Sequence, residues 1–181
     1  MVRLPFLIET PRLTLRQWTE ADAAALSLAI EQSLDHLRPW MPWITNEPTT
    51  PDQRVALIRK WRTAWEEGGD CFLGIFRNGE VVGSSGLHRR GARDSVEIGY
   101  WIHVDHLRQG YATEAANALT QAAFATPSIA RVEIRHDKAN TAGAGVPERL
   151  GFTFVGETSD EITAPAEVGI EVRWVSYRPN A

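Results

Sequence analysis

The sequence is poor in the residues that build disulfides, metal sites and nucleic-acid surfaces. Cys71 is its only cysteine, so an internal disulfide is excluded, and its setting between Asp70 and Phe72 predicts a buried strand thiol rather than a nucleophile. The five histidines follow no metal-ligand spacing, so we expect no metal. The net charge is −4 and no basic cluster offsets it, which argues against nucleic acid as a partner.

Long hydrophobic runs are also missing. Because no segment resembles a signal peptide or a membrane span, we expect no membrane partner and a cytoplasmic location. What is present is ordinary for a globular protein: 181 residues, of which 43% are hydrophobic and 23% are charged. This length is enough for a hydrophobic core and predicts one domain over residues 1–181.

Helices and strands alternate along the first part of the chain. A strand is predicted at 13–16, and Thr19 is predicted as the N-cap of a helix that ends near Ser33. The segment 39–51 is rich in proline and tryptophan and should be a loop. A second helix is expected over 51–67.

A β-hairpin is the strongest short-range prediction. Asn78-Gly79 suits a two-residue turn between strands at 71–76 and 80–87. In the next strand, 96–104, Gly99 predicts either a bulge or the close approach of another backbone or a ligand. The remaining predicted elements are a helix at 111–125, a strand at 131–135, a broken helix near 141–150, and strands from residue 152 and over 171–175. This order predicts a mixed-sheet α/β or α+β domain.

The stretch from Gln109 to Ala115 is the most informative part of the sequence. Its glycine, Gly110, joins the strand at 96–104 to a helix whose Ala and Leu positions recur at helical spacing. The unpartnered amides of such a helix start, together with the helix dipole, favour phosphate. By itself the pattern fits an ordinary strand-to-helix connection equally well. It lacks the Gly-Lys-Ser/Thr of a nucleoside-triphosphate loop and the further glycines of a dinucleotide fingerprint.

Several motifs occur together in a fixed order: Leu7-Ile8-Glu9-Thr10-Pro11-Arg12-Leu13-Thr14-Leu15-Arg16, Val96-Glu97-Ile98-Gly99-Tyr100-Trp101, Gly110-Tyr111-Ala112-Thr113-Glu114-Ala115, Asn140 and Leu150-Gly151-Phe152. In this combination the chain resembles the GNAT superfamily of N-acetyltransferases, over nearly its whole length. Within it, the chain is most similar to the Rim-type branch, which is typified by ribosomal-protein-alanine acetyltransferases.

The resemblance implies a fold and a reaction. The fold would be α/β (α+β): a central mixed, mostly antiparallel sheet of about seven strands, with a splayed central strand pair and about four flanking helices. The co-substrate would be acetyl-CoA, and the acetyl group would pass directly to a primary amine in a ternary complex, with no metal. The amine would belong to a protein N-terminus or a small molecule. Exposed strand edges and the family's habit leave a homodimer possible.

The resemblance also assigns residues to the co-substrate. The segment Ile102-His103-Val104 would bind the pantetheine arm, with backbone groups of Ile102 and Val104 pairing with its amides. Asn140 would touch the same arm; it also suits a helix N-cap, and the two roles are compatible. The pyrophosphate would be held by the amides of the turn, which consists of Arg108, Gln109, Gly110, Tyr111, Ala112 and Thr113.

Three positions depart from the family pattern. Leu107 stands where the turn usually carries Arg or Gln, with Arg108 one place later, so side-chain contacts to phosphate are shifted although the amides remain. Gly143 replaces a frequent serine, and Pro147 replaces the tyrosine that protonates the leaving thiolate in other members. Pro147 also predicts a short or distorted helix after Asn140. Because neither usual acid is present, a non-catalytic acyl-CoA-binding regulator or pseudoenzyme is the alternative to an enzyme.

Candidates for the acceptor side lie on the central strands and the aromatic loop. The attacking amine must be neutral; an α-amino group, with a pKa of about 8, needs less help than a lysine at about 10.4. Glu97 is the favoured base, directly or through water, although a salt-bridged strand glutamate fits equally well. Ser84 and His88 are candidates for catalysis and acceptor binding, with a plain sheet role more common for each. Trp40 and Trp43 would form a wall of the acceptor cleft, or an aromatic plug that closes the core.

Overall fold

A computed structural model describes residues 6–179 of the chain as a sheet flanked by helices. The helices are α1 (Ala23–Leu37), α2 (Pro51–Glu66), α3 (Tyr111–Phe124) and α4 (Thr141–Arg149). The strands are β1 (Leu7–Glu9), β2 (Thr14–Gln17), β3 (Cys71–Arg77), β4 (Glu80–His88), β5 (Ser95–Ile102), β6 (Arg131–Asp137), β7 (Thr153–Ser159) and β8 (Ile170–Tyr177).

The described strands form one sheet in the order β1-β2-β3-β4-β5-β6-β8-β7. Every neighbouring pair is antiparallel except β5 and β6, which run parallel. The predicted mixed, mostly antiparallel sheet with four helices is therefore confirmed. It has eight strands rather than about seven, because the three-residue β1 pairs with β2 and is too short to show an alternating pattern in the sequence.

The hairpin between β3 and β4 forms as predicted. Asn78 and Gly79 have φ angles of 50° and 83°, the left-handed values that a two-residue turn of type I′ needs. Cys71 at the start of β3 is fully buried, and this burial raises the pKa of its thiol to about 12. The thiol is therefore a core group rather than a nucleophile.

The sheet is covered on both faces. On one face α3 packs closely through Ala115, Ala116 and Leu119, all fully buried, as its small-residue stripe predicted. The second core, on α1 and α2, contains Leu26 and Ile58. These two helices and the loop between them stand over the strands that carry the candidate catalytic residues.

Two predicted boundaries were wrong, and one of the two roles considered for Gly99 is excluded. Helix α1 continues to Leu37 instead of ending near Ser33, because its buried face extends to Leu37, which packs in the core. Strand β5 ends at Ile102, because a 3-10 turn begins at Val104. The β4–β5 pairing has no register break, so Gly99 does not mark a bulge.

Helix α4 is short but not broken. Pro147 lies inside it and has no N–H to donate to the carbonyl of Gly143, four residues earlier. The Tyr100 hydroxyl donates to that carbonyl at 3.4 Å instead. The lost helical bond thus has a substitute, and the turn remains helical.

No helix within residues 6–179 is long and apolar enough to cross a membrane. The predicted cytoplasmic location remains a prediction. So does the single domain over residues 1–181, whose first five and last two residues lie outside the described part of the chain.

Candidate active site

The central strands β5 and β6 part after a short contact. Their parallel pairing joins residues 95–97 to residues 131–133, whereas β5 continues to Ile102 and β6 to Asp137. From Ile98 onward β5 therefore has no neighbour on that side among the described strands. This gap is the splay that the resemblance implied.

Backbone direction decides which groups face the gap. The His103 N–H donates to the Val82 carbonyl on the β4 side. Since successive strand residues point their backbone groups in opposite directions, those of Tyr100 and Ile102 face the gap. Ile102 is thus placed as expected, and Tyr100 is a gap-facing residue that the sequence analysis had not assigned.

Two neighbours of Ile102 are already engaged by the protein. The Val104 N–H donates to the Ser33 hydroxyl at 3.1 Å, so it does not face the gap unpaired as predicted. The His103 ring lies 2.9 Å from the Gln32 amide oxygen and accepts the Asp105 N–H at 3.1 Å. The contacts of His103 and Val104 with the pantetheine arm remain predictions. The bonds to Gln32, Ser33 and Asp105 count against them, because they already occupy the groups concerned.

The turn before α3 presents free amides. Arg108 and Gly110 both have left-handed backbones, with φ angles of 59° and 79°. Within the described chain, no backbone N–H from Arg108 to Thr113 donates to a protein acceptor, and the first helical bond of this region is from Glu114 to Gly110. Six N–H groups without a described acceptor therefore lie in succession at the positive end of a 14-residue helix.

A contact distant in sequence holds this turn in shape. Glu114 accepts hydrogen bonds from the Thr10 hydroxyl at 2.7 Å and from Arg12 Nε at 2.6 Å. Arg12 Nη1 also donates to the Gln109 carbonyl at 2.9 Å. Burial raises the pKa of Glu114, but the bonds from Thr10 and Arg12 outweigh it and hold this pKa below the ordinary value. Thr10, Arg12 and Glu114 belong to two motifs that are far apart in the sequence, and no local pattern indicates this pairing.

The other turn residues are positioned by packing and by α4. Tyr111 is buried in the core, with the Arg12 guanidinium 4.8 Å from its ring centre. Thr113 accepts a hydrogen bond from Arg149 Nε at 3.3 Å, which brings a second arginine to the turn. Asn140 caps α4 by accepting the Gly143 N–H at 3.0 Å, and it lines the cleft described next.

A cleft of about 610 Å³ opens over the carboxyl half of β5. Trp40 and Trp43 from the loop between α1 and α2 line one wall, and Trp43 lies 6.3 Å from the ring of Trp101 on β5. Tyr100 and Asn140 line the same cleft. The aromatic loop is therefore a cleft wall, one of its two predicted roles.

Residues 12–153 match the family of acetyltransferase (GNAT) domains. The chain belongs to the GNAT acetyltransferase family. It is 29% identical over 149 residues, 82% of this chain and 81% of the relative, to YdaF of Bacillus subtilis (strain 168), which is provisionally named a ribosomal N-acetyltransferase. This relative agrees with the Rim-type branch and the N-acetyltransferase class that the motifs indicated.

Two solved structures share the GNAT fold. RimL, a ribosomal L7/L12 α-N-protein acetyltransferase in complex with coenzyme A, superposes with a TM-score of 0.86 at 19% identity over 94% of this chain and 97% of that one. The microcin C7 self-immunity acetyltransferase MccE, in complex with acetyl-CoA and AMP, gives 0.85 at 20% identity over 93% of each chain. At these identities the likeness establishes the fold alone.

Glu97 lies in the cleft of this GNAT chain between two arginines. Its carboxylate is 3.5 Å from Arg90 Nη1 and 3.4 Å from Arg135 Nε. Burial raises the pKa of Glu97, and the two arginines partly counter this rise. Glu97 is thus an ion-paired strand residue, one of the two roles considered from the sequence, and its role as a base remains a prediction.

Ser84 and His88 differ in how much of their chemistry is free. The Ser84 hydroxyl donates to the Leu73 carbonyl at 3.0 Å and accepts the Trp18 indole N–H at 3.2 Å. The assignment of Ser84 to catalysis remains a prediction. The two bonds count against it, because they already use the hydroxyl as donor and as acceptor. Among the described residues, His88 has a hydrogen-bond partner at one ring nitrogen, which lies 2.9 Å from Asp70.

Proposed function

We propose that this protein transfers the acetyl group of acetyl-CoA directly to a primary amine in a ternary complex. The observation that carries the proposal is the convergence of three features along β5. The strand gap opens after Glu97, the aromatic cleft lies over Trp101, and the free amides begin at Arg108. A phosphate-bearing thioester held at the turn would therefore reach the cleft through the gap.

The donor is proposed to bind mainly through the backbone. The amides from Arg108 to Thr113 would hold the pyrophosphate, and the main chain of Ile102 would pair with the pantetheine arm next to Asn140. Gap-facing N–H groups of β5 would also donate to the thioester oxygen as negative charge develops there. Backbone donors do not depend on the shifted arginine at the turn, so the departure at Leu107 is tolerable.

The acceptor is proposed to be a protein N-terminus or a small-molecule amine. Asp160 and Glu161 lie at the cleft and form no ion pair with another described residue, which favours a cationic acceptor. Glu97 is the proposed base, acting through water because its carboxylate already lies between arginines. A cytoplasmic location and a homodimer belong to the same proposal, supported by the sequence alone.

The test is thiol release from acetyl-CoA in the presence of an acceptor panel. The panel pairs peptides with free and blocked N-termini and adds small primary amines, and Glu97→Gln serves as the matched variant. We expect turnover with at least one free amine, none with the blocked peptides, and a slower rate in the variant. If coenzyme A binds but no amine is turned over, the transferase proposal fails and an acyl-CoA-binding regulator takes its place.

A further inference from the structure

His88 is held by a fixed carboxylate at the edge of the cleft. Its Nδ1 lies 2.9 Å from Asp70 Oδ2, and the other oxygen of Asp70 accepts the Arg89 N–H at 2.8 Å. The hydrogen bond with His88 is the main cause that lowers the pKa of Asp70, so this carboxyl is ionised and can only accept. In the neutral ring the proton therefore sits on Nδ1 and leaves Nε2 with a free lone pair.

Two glycines make room for the free nitrogen. Gly86 on β4 and Gly99 on β5 lie directly opposite each other in the sheet. A Cβ added at Gly86 would come within 2.7 Å of His88 Nε2, and one at Gly99 within 3.2 Å. The imidazole thus lies over this glycine pair, which explains Gly99 better than the bulge considered from the sequence.

The free nitrogen faces the cleft close to the strand gap. Gly99 is two residues past the last residue of β5 that pairs with β6, so Nε2 lies beside the start of the gap. Within residues 6–179 this nitrogen has no hydrogen-bond partner, and His88 lines the cleft. Glu97 pairs with His88 in the sheet register, but its carboxylate is shared between Arg90 and Arg135.

We propose that His88 Nε2, oriented by Asp70, takes the proton from the acceptor amine. This inference rests on the proposed acetyl transfer and replaces Glu97 by His88 as the group that takes the proton. The amine nitrogen forms a bond to the acetyl carbon and passes one proton to Nε2, the carbon–sulfur bond breaks, and its electron pair leaves on sulfur as the thiolate, which solvent protonates. Asp70 keeps the Nδ1 proton and acts as a positioning residue.

The charges around the ring favour this step. Asp70 contacts it from the segment before β3, and Glu97 lies opposite it on β5, so the imidazolium formed would have two carboxylates beside it. Two cations also lie near these carboxylates: Arg90, from the loop after β4, is 3.5 Å from Glu97 and also lowers the pKa of Asp70, and Arg135, on β6, is 3.4 Å from Glu97. Glu97 would then bind water and stabilise the cation, in keeping with its place between arginines.

The experiment compares His88→Gln, Asp70→Asn and Glu97→Gln with His36→Gln as a control, because His36 is exposed on α1 away from the cleft. The acceptor kcat/KM is measured against pH at saturating acetyl-CoA, with coenzyme A affinity and thermal midpoint as checks of folding. We expect His88→Gln to lower kcat/KM by about 100-fold to 10,000-fold and to abolish the acid limb of the profile. Asp70→Asn should shift that limb, and Glu97→Gln and His36→Gln should keep it.

A second readout needs no turnover. Nitrogen NMR of the free protein with labelled histidine should show Nδ1 protonated and Nε2 bare in neutral His88, and the opposite tautomer would overturn the inference. Retention of the acid limb in His88→Gln, or loss of coenzyme A binding in that variant, would also overturn it. If the wild type acetylates no amine, the proposed function itself fails and the inference fails with it; wild-type turnover with an unaltered His88→Gln profile removes only the inference.

Discussion

The aromatic wall of the cleft is held in place by a buried ion pair. Arg54 on α2 and Glu47 in the aromatic loop have side chains only 2% and 7% exposed. Arg54 Nη2 lies 2.6 and 2.7 Å from the two Glu47 oxygens, and its Nε donates to the Ser27 hydroxyl at 3.0 Å. Glu47 also accepts the Thr49 N–H at 3.1 Å, so the pair ties the loop to both α1 and α2.

Replacing Arg54 alone should be costly. Arg54→Met leaves the Glu47 carboxylate buried without its partner, a loss typically of about 3–5 kcal/mol. For a protein of this length that corresponds to a fall in the thermal midpoint of about 6–20 °C. The double variant Arg54→Met/Glu47→Met removes both charges and should recover most of the loss, because a buried ion pair adds little net stability over apolar side chains.

The assay is urea and thermal unfolding of the two single variants and the double variant, read as a double-mutant cycle. A matched control is Arg59→Met, since Arg59 also makes two hydrogen bonds to one carboxylate, that of Glu20, at 2.7 and 2.8 Å, but the two side chains are 65% and 51% exposed. That variant should unfold as the wild type does. The reasoning is refuted if Arg54→Met is no less stable than Arg59→Met, or if the double variant is no more stable than the single one.

Three further predictions concern the start of α1, the turn and α4. Burial opposes ionisation of Asp22, but hydrogen bonds from Arg16 and Thr19 lower its pKa to about 2. The ionised Asp22 therefore adds stability above pH 4 that is lost as the pH falls toward 2. Asp22→Asn should cost about 1–2 kcal/mol of unfolding free energy at pH 7 and should reduce this loss at acid pH, as measured by urea unfolding. Gly110→Ala and Gly151→Ala share a left-handed backbone strain of about 1 kcal/mol, but calorimetry should find coenzyme A binding weakened about tenfold only in the former. Tyr100→Phe should cost about 0.5–1 kcal/mol in urea unfolding by leaving a helix carbonyl without a donor.

Local patterns in the sequence were enough for the turn and the elements beside it. Gly110 and the alanines of α3 act within one turn and one helix face, so spacing alone located the free amides. Asn78-Gly79 fixed the hairpin for the same reason, since its turn conformation needs only those two residues. In each of these cases the local conformation is determined by residues that are close together in the sequence.

Contacts between distant segments escaped the sequence analysis. The bond of Arg12 to Glu114 spans 102 residues, and no periodicity reports it. The same applies to the Val104 N–H, whose partner Ser33 lies on a helix 71 residues earlier. The role of Gly99 was partly foreseen, because the sequence indicated a close approach but could not name the imidazole of His88 as the group that approaches.

The two sides of the cleft differ in the side chains that could transfer a proton, and this difference relates to the absence of the acid found in other family members. On the thiolate side, Gly143 and Pro147 offer no side-chain proton, and the Tyr100 hydroxyl is already donated to the Gly143 carbonyl. On the proposed amine side, Glu97 and His88 pair in the sheet register, and within residues 6–179 the Nε2 of His88 has no hydrogen-bond partner. A thiol has a pKa of about 8.5 and leaves readily as the anion, whereas an ammonium cannot attack until it loses a proton. Under the proposed function, a chain with proton acceptors by the amine and no donor by the sulfur would assist the step in which a side chain helps most.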